Sequence, residues 1–264
     1  MTENSAKPTV TPVPAATILL VRDAATGLEV FMVKRHHQID FANNALVFPG
    51  GKAAKSDFDP GLAAHMDGAA AWSSEMRALA AAAIREAFEE AGILLARDNR
   101  TAGLIGEARL AQLENYREKL EKGETGLLDM ITAEDLRLAT DHLVHFAHWV
   151  TPKNMPKRFD THFFIALAPH GHIGRHDGRE SVDSVWIAPE QAIADRKKWN
   201  VIFPTKLNLM KLAQSKTVDE ALSAARATPP LTVEPWVEQR PEGPLLRIRE
   251  DAGYAQTSTP ARDA

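Results

Sequence analysis

A chain of 264 residues with 44% apolar and 25% charged side chains can bury a full core without covalent staples and has the balance of an ordinary globular protein. Its formal net charge of -4 argues against a broad basic surface for nucleic acid or anionic membrane and leaves room only for a local basic pocket. The absence of cysteine excludes disulfides, thiolate-bound zinc and a thiol nucleophile, and it fits a reducing, cytoplasmic setting.

Residues 1–14 are polar and proline-bearing, lack a secretory pattern, and read as a loose tail. The apolar run 15–21 reads as a buried strand that turns around Asp23 to Gly27 into a hairpin partner over 29–35. A third strand over 45–48 stops at Pro49-Gly50-Gly51, and 52–73 reads as an irregular excursion. A helix is expected from Ser74 to Ala91, with Ser73 or Ser74 as N-cap and Gly92 as its stop. Within an addition over 100–140, residues 106–121 and 132–140 read as helices. Strands follow over 142–150, 161–167 and 182–187; Pro189 opens a helix, and 204–227 is helical. The segment 231–249 reads as a hairpin around Pro241-Glu242-Gly243, and 251–264 as a second loose tail. No run of about 18 apolar residues marks a membrane span. Strands interleaved with helices point to an α/β class with a mixed sheet in a single domain over 15–250.

The chemistry concentrates in Arg85-Glu86-Ala87-Phe88-Glu89-Glu90. On a helix, Glu86, Glu89 and Glu90 project to one side within about a turn. Two unit charges about 5 Å apart at an effective dielectric of about 20 repel by roughly 3 kcal/mol. Such a cluster is either a solvated acidic face or a site for hard divalent cations, which take oxygen ligands. Phe48-Pro49-Gly50-Gly51-Lys52 favours the second reading, because glycines let backbone approach a metal or phosphate closely. His142, His145 and His148 recur every third residue in a strand, which alternates faces, so ordinary packing is the expectation there.

Taken together, Gly51 and Arg85-Glu86-Ala87-Phe88-Glu89-Glu90-Ala91-Gly92-Ile93 resemble the two halves of the Nudix signature, G-x5-E-x7-R-E-U-x-E-E-x-G-U, where U is a bulky apolar residue. The chain departs from it in spacing: 33 residues separate Gly51 from Arg85, 20 more than the signature allows, and Arg77 stands eight before Arg85 where glutamate is usual. Asp57, Asp59, Asp67 and Glu75 are the acidic candidates to replace that glutamate. The insertion, with His148-Trp149-Val150-Thr151-Pro152 and Arg158-Phe159-Asp160-Thr161-His162-Phe163-Phe164, is similar to a Nudix branch that includes peroxisomal coenzyme A diphosphatases.

The resemblance implies a Nudix α/β/α sandwich with an insertion over 52–73 and extra helices over 100–140. It implies a small-molecule diphosphate substrate and Mg2+, with Mn2+ as substitute, held by Glu86, Glu89 and Glu90 together with a carbonyl of Gly50 or Gly51. Arg85 would brace the glutamates, and Arg35 and Arg158 are candidates for phosphate. The catalytic candidates are Glu86, Glu89 and Glu180, with Glu180 or Glu86 as the general base. Coenzyme A or acyl-CoA is the first substrate expectation, and ADP-ribose or a dinucleotide the second; a non-catalytic regulator is the reading from another class. A related CoA-cleaving motif keeps Arg35, but Asp40 and Asn44 replace its second arginine and its glycine. Residues 200–250 are expected to pack on the core or to form a homodimer contact.

Overall fold

The structure, a computed structural model, describes residues 10–35, 45–101, 103–178, 181–195 and 197–263. Its central strand β1 (Val13–Ala24) divides its side chains between two cores. Ala16, Ile18 and Leu20 face one, and Leu19 and Val21 the other. A strand covered on both faces reads as a continuous apolar run, as this one does.

β1 pairs antiparallel with β2 (Gly27–Arg35) through its C-terminal half and with β4 (Gly50–Lys52) through its N-terminal half. Around these lie β3 (Leu46–Val47), β5 (Ala96–Asp98), β6 (Leu136–Leu138), β7 (Val144–Val150), β8 (Phe159–Leu167), β9 (Ser181–Ile187) and β10 (Thr232–Val233). The principal sheet runs β10-β7-β8-β1-β2-β3, with β4 on β1 and β9 on β2. It is mixed, as expected: β1 and β8 are parallel, as are β10 and β7, whereas β7 and β8 are antiparallel.

Helix α1 (Ser74–Ala91) covers the first core. The Ser73 hydroxyl accepts from the Met76 amide at 3.1 Å, and Gly92 closes the helix in the left-handed region at φ 63°. Ala80 to Ala83 are fully buried and let the helix lie close on the sheet, while Ile84 and Phe88 fill the core. α2 (Glu107–Gln112), α3 (Glu114–Glu121) and α4 (Leu127–Ala133) close the same side. The second core is covered by α5 (Pro189–Ala194), α6 (Phe203–Leu212) and α7 (Val218–Ala227). The result is an α/β/α sandwich in which residues 200–250 lie largely on the core. Among the described residues no helix is long and apolar enough to cross a membrane.

Several expectations need correction. The first strand begins at Val13, inside the proposed 1–14 tail, because Val13 pairs with Phe159 of β8. The helix expected over 132–140 ends at Ala133, since Asp135 takes a positive φ of 52° and Leu136–Leu138 pairs with β5. The helix expected over 204–227 is two helices, the second capped by Thr217, whose hydroxyl accepts from the Glu220 amide. The hairpin pairs β11 (Trp236–Glu238) with β12 (Leu245–Arg247), and a third strand, β13 (Ser258–Pro260), extends it. Residues 251–263 are therefore no loose tail. Tyr254 is buried, donates to Asn208 Oδ1 at 2.7 Å and accepts from Trp149 Nε1 at 2.9 Å. A bulge between His145 and Ala147 breaks the alternation of β7. It brings His145 and His148 onto one face beside His162 of β8, with ring centroids 5.0 Å and 3.9 Å from that ring. Burial, then the neighbouring His148, holds the His145 and His162 imidazoles down to about 4.

Candidate functional site

The last two turns of α1 carry Arg85, Glu86, Glu89 and Glu90, all buried. Arg85 is the hub of a closed hydrogen-bond web. Its Nη1 donates to Glu86 Oε1 at 2.9 Å and to both Glu89 oxygens at 3.1 Å. Its Nη2 donates to the Lys52 carbonyl at 3.0 Å and to Asp57 Oδ2 at 2.9 Å, and its Nε to Asp57 Oδ1 at 3.0 Å. The planar guanidinium is suited to such forked contacts. Burial works against its charge, but Glu86, Asp57 and Glu89 outweigh burial and hold Arg85 firmly protonated.

Asp57 fills the role left open by Arg77. It is 1% exposed and also accepts from the Ala54 amide at 2.7 Å. Counted forward from Gly51, Asp57 stands where the G-x5-E half of the signature has its glutamate. The spacing signal was therefore present in the chain, but it lay on the glycine side of the insertion. The excess falls after Asp57: 27 residues separate it from Arg85 in place of the motif's seven. Residues 52–57 thus belong to the site rather than to the insertion. Lys55–Phe58 and Pro60–His65 form short 3-10 turns, the first of which delivers Asp57.

The glycine bend lies directly against the glutamates. The Gly50 amide donates to Glu90 Oε2 at 3.0 Å. A Cβ on Gly50 would sit 2.6 Å from the Ala16 carbonyl oxygen, so that position accepts no side chain, and one on Gly51 would sit 2.5 Å from Glu86 Oε1 and would have to displace that carboxylate. The far end of the helix is fixed by Arg117 of α3, which donates to the Glu89 carbonyl through Nε at 3.2 Å and Nη2 at 3.0 Å. A cation at this terminus also complements the helix dipole.

Three buried carboxylates (Asp57, Glu86 and Glu89) thus meet at one guanidinium, and a fourth, Glu90, is held by the Gly50 amide. Burial pushes the Glu89 carboxyl above its ordinary range; Arg85 draws it back, while Asp57 and Glu121 add to the rise. A buried set with this surplus of negative charge and oxygen donors fits a hard divalent cation.

Arg85, Glu86, Glu89 and Glu90 form one wall of a cavity of about 800 Å³. Arg35, Lys52 and Lys157 place positive charge in its lining, and Trp149, Phe159 and Phe163 supply aromatic surface. Lys157 is a lining cation that no sequence motif singles out. Arg158 belongs elsewhere. Its side chain is buried and donates to the carbonyls of Thr151 and Val10 and to Glu234 Oε1, so it ties strand ends together and does not reach the cavity. Glu180, Asp40 and Asn44 lie outside the described residues.

Comparison with known proteins agrees with this geometry. The family model described as the NUDT19 Nudix domain matches residues 64–209. The chain is 27% identical over 217 residues to the acyl-coenzyme A diphosphatase NUDT19 of Xenopus laevis, covering 67% of this chain and 57% of the frog protein. Among solved structures, a NUDIX hydrolase from Alicyclobacillus acidocaldarius superposes with a TM-score of 0.68 at 27% identity, over 81% of this chain and 96% of that one.

Proposed function

Because the chain belongs to the Nudix hydrolase family, in the branch described by the NUDT19 Nudix domain, we propose that it hydrolyses the diphosphate bond of a nucleoside diphosphate derivative. The first candidate is coenzyme A or an acyl-CoA, giving 3′,5′-ADP and phosphopantetheine. The observation that carries the proposal is the wall of Glu86, Glu89 and Glu90 against the Gly50-Gly51 bend, opening on a cavity with Arg35, Lys52 and Lys157 in its lining. The name of the frog relative supports the choice of CoA.

Glu86, Glu89 and Glu90 would hold Mg2+, or Mn2+ in its place, with a carbonyl of Gly50 or Gly51 completing the shell. Bound there, the cation neutralises diphosphate charge and lowers the pKa of water. The protein's own groups do the rest. Arg85 locks the rotamers of Glu86 and Glu89, so the carboxylates need little reorganisation. Arg35, Lys52 and Lys157 bind phosphate oxygens, and Trp149, Phe159 or Phe163 covers the base or the pantetheine arm. The proton of the attacking water we assign to Glu180, which stands just before β9 in the chain, with Glu86 as the alternative. The water oxygen bonds to phosphorus as the bridging P–O bond breaks, and the bridging oxygen leaves with its electron pair on the other phosphate-bearing fragment.

A substrate panel with purified protein and Mg2+ tests the reading. CoA should be cleaved at least tenfold faster than ADP-ribose or NADH, and equal or reversed rates would overturn the CoA assignment. ADP-ribose stays the second reading because Asp40 and Asn44 depart from a CoA-cleaving motif. Glu90→Gln should lower hydrolysis of the preferred substrate at least about 100-fold, the scale of several kcal/mol of charge stabilisation. Unchanged activity in that variant would remove the site assignment.

A further inference from the structure

The histidine cluster of β7 and β8 lies on the reverse of the sheet from the diphosphate cavity. On β8, Phe159, Thr161 and Phe163 line the cavity, whereas Asp160 and His162 alternate to the other face. There His148 Nε2 stands 2.5 Å from Asp160 Oδ1, and His162 Nε2 stands 3.9 Å from the same oxygen. One ligand atom from each of His148, Asp160 and His162 falls within 4.8 Å of the others.

We propose that His148, Asp160 and His162 form a second metal site, for a borderline-soft divalent transition ion such as zinc. Two imidazole nitrogens and a carboxylate oxygen are a donor set that zinc takes readily, with metal–ligand distances of about 2.0–2.2 Å. A tetrahedral centre needs its ligand atoms about 3.3 Å apart, midway between the two separations above, so small rotamer changes suffice.

The arrangement behind the ligands strengthens the assignment. Both ligating rings turn Nε2 toward Asp160 and commit Nδ1 to a partner. His148 Nδ1 lies 2.9 Å from Thr232 Oγ1, and His162 Nδ1 lies 3.1 Å from His145 Nε2. With Nδ1–H donating in each pair, Nε2 is left as the lone-pair nitrogen, the usual way a protein fixes the tautomer of a metal-binding histidine. The Asp160 side chain is 39% exposed, so an ion can enter from solvent, and the His148 and His162 side chains, at 16% and 15%, hold the inner positions. The three ligands would clamp β7 to β8, and through Thr232 would bear on the two-residue β10.

Zinc titration of the full chain in saturating Mg2+ tests this directly. One zinc equivalent should bind, survive Glu90→Gln, and raise the melting temperature by mass action. His148→Gln and His162→Gln should each abolish that equivalent. Thr232→Ala, which leaves every ligand in place, should weaken it about 10- to 100-fold. Should the histidine variants fail to fold, Co2+ absorption of the unaltered protein decides: bands displaced by Zn2+ but not by Mg2+, and retained in Glu90→Gln, are expected. Zinc stoichiometry unchanged in the histidine variants, zinc or cobalt binding lost in Glu90→Gln, or no Co2+ bands at all would overturn the proposal.

Discussion

Asp57 and Arg85 are 28 residues apart in the chain, yet the aspartate clamps the guanidinium through Nε at 3.0 Å and Nη2 at 2.9 Å. That pair leaves Nη1 to face Glu86 and Glu89, and so sets where the carboxylates stand. Without Asp57 the guanidinium keeps the charges of Glu86 and Glu89 but loses the buried acceptor of Nε, at a cost of about 1–3 kcal/mol. Asp57→Ala should therefore lower unfolding free energy by that amount in denaturant titration and also depress the hydrolytic rate. Asp57→Glu, which restores the acid of the signature, should retain most of both.

Gly51→Ala isolates the bend from the glutamates. The new Cβ would meet Glu86 Oε1 at 2.5 Å and must push the carboxylate aside. A misplacement of about 1 Å in a reacting constellation can cost about 100-fold. The variant should lose roughly that factor in kcat/KM, measured with saturating Mg2+, while a metal-free thermal melt changes far less.

Apparent Mg2+ affinity should carry the mark of Glu89. In the metal-free protein burial raises its carboxyl above the ordinary range, so more of it is protonated in mild acid than of an exposed glutamate. A ligating carboxylate must be deprotonated, so binding in Mg2+ titrations should weaken as pH drops. Glu89→Gln should bind Mg2+ less tightly and with a flatter pH dependence, whereas an unchanged dependence would remove Glu89 from the ligand set.

Stability of the metal-free protein should show the opposite of a salt-bridged histidine. His145 and His162 titrate near 4 in the fold and near 6.5 when unfolded, so the unfolded chain binds more protons between those values. Their contribution is intact above about pH 6.5, declines as pH falls toward 4, and changes no further below that. Each tenfold change in proton affinity is equivalent to about 1.4 kcal/mol, and solvent screening of these partly buried rings reduces the sum. A loss of about 1–3 kcal/mol is therefore expected in EDTA across this window. His162→Asn should lose less over the same window, as read by chemical denaturation at each pH.

Local periodicity explains what was legible in the chain. Ser73, the alanine body and Gly92 specify α1 by capping and by propensity, and i, i+3, i+4 spacing alone puts Glu86, Glu89 and Glu90 together. The strands of the sheet were visible as short apolar runs, because each is buried on at least one face. The segment 132–140 departs from its helical pattern because one aspartate at positive φ outweighs the rest. The stretch 251–263 packs on the rest because Tyr254 finds its partners on Trp149 and Asn208, distant in sequence.

Arg158 marks the same boundary. An arginine beside an aromatic strand suggests phosphate, but only packing showed Glu234 and the Thr151 and Val10 carbonyls waiting for it. Sequence by itself determined the acidic helix, its glycine stop and the mixed order of strands, all of which depend on neighbours a few residues away. Tertiary structure alone decided that Arg158 ties strand ends, that a bulge gathers three imidazoles, and which cations line the cavity. Those outcomes depend on contacts across tens of residues, whose free energies local spacing does not encode.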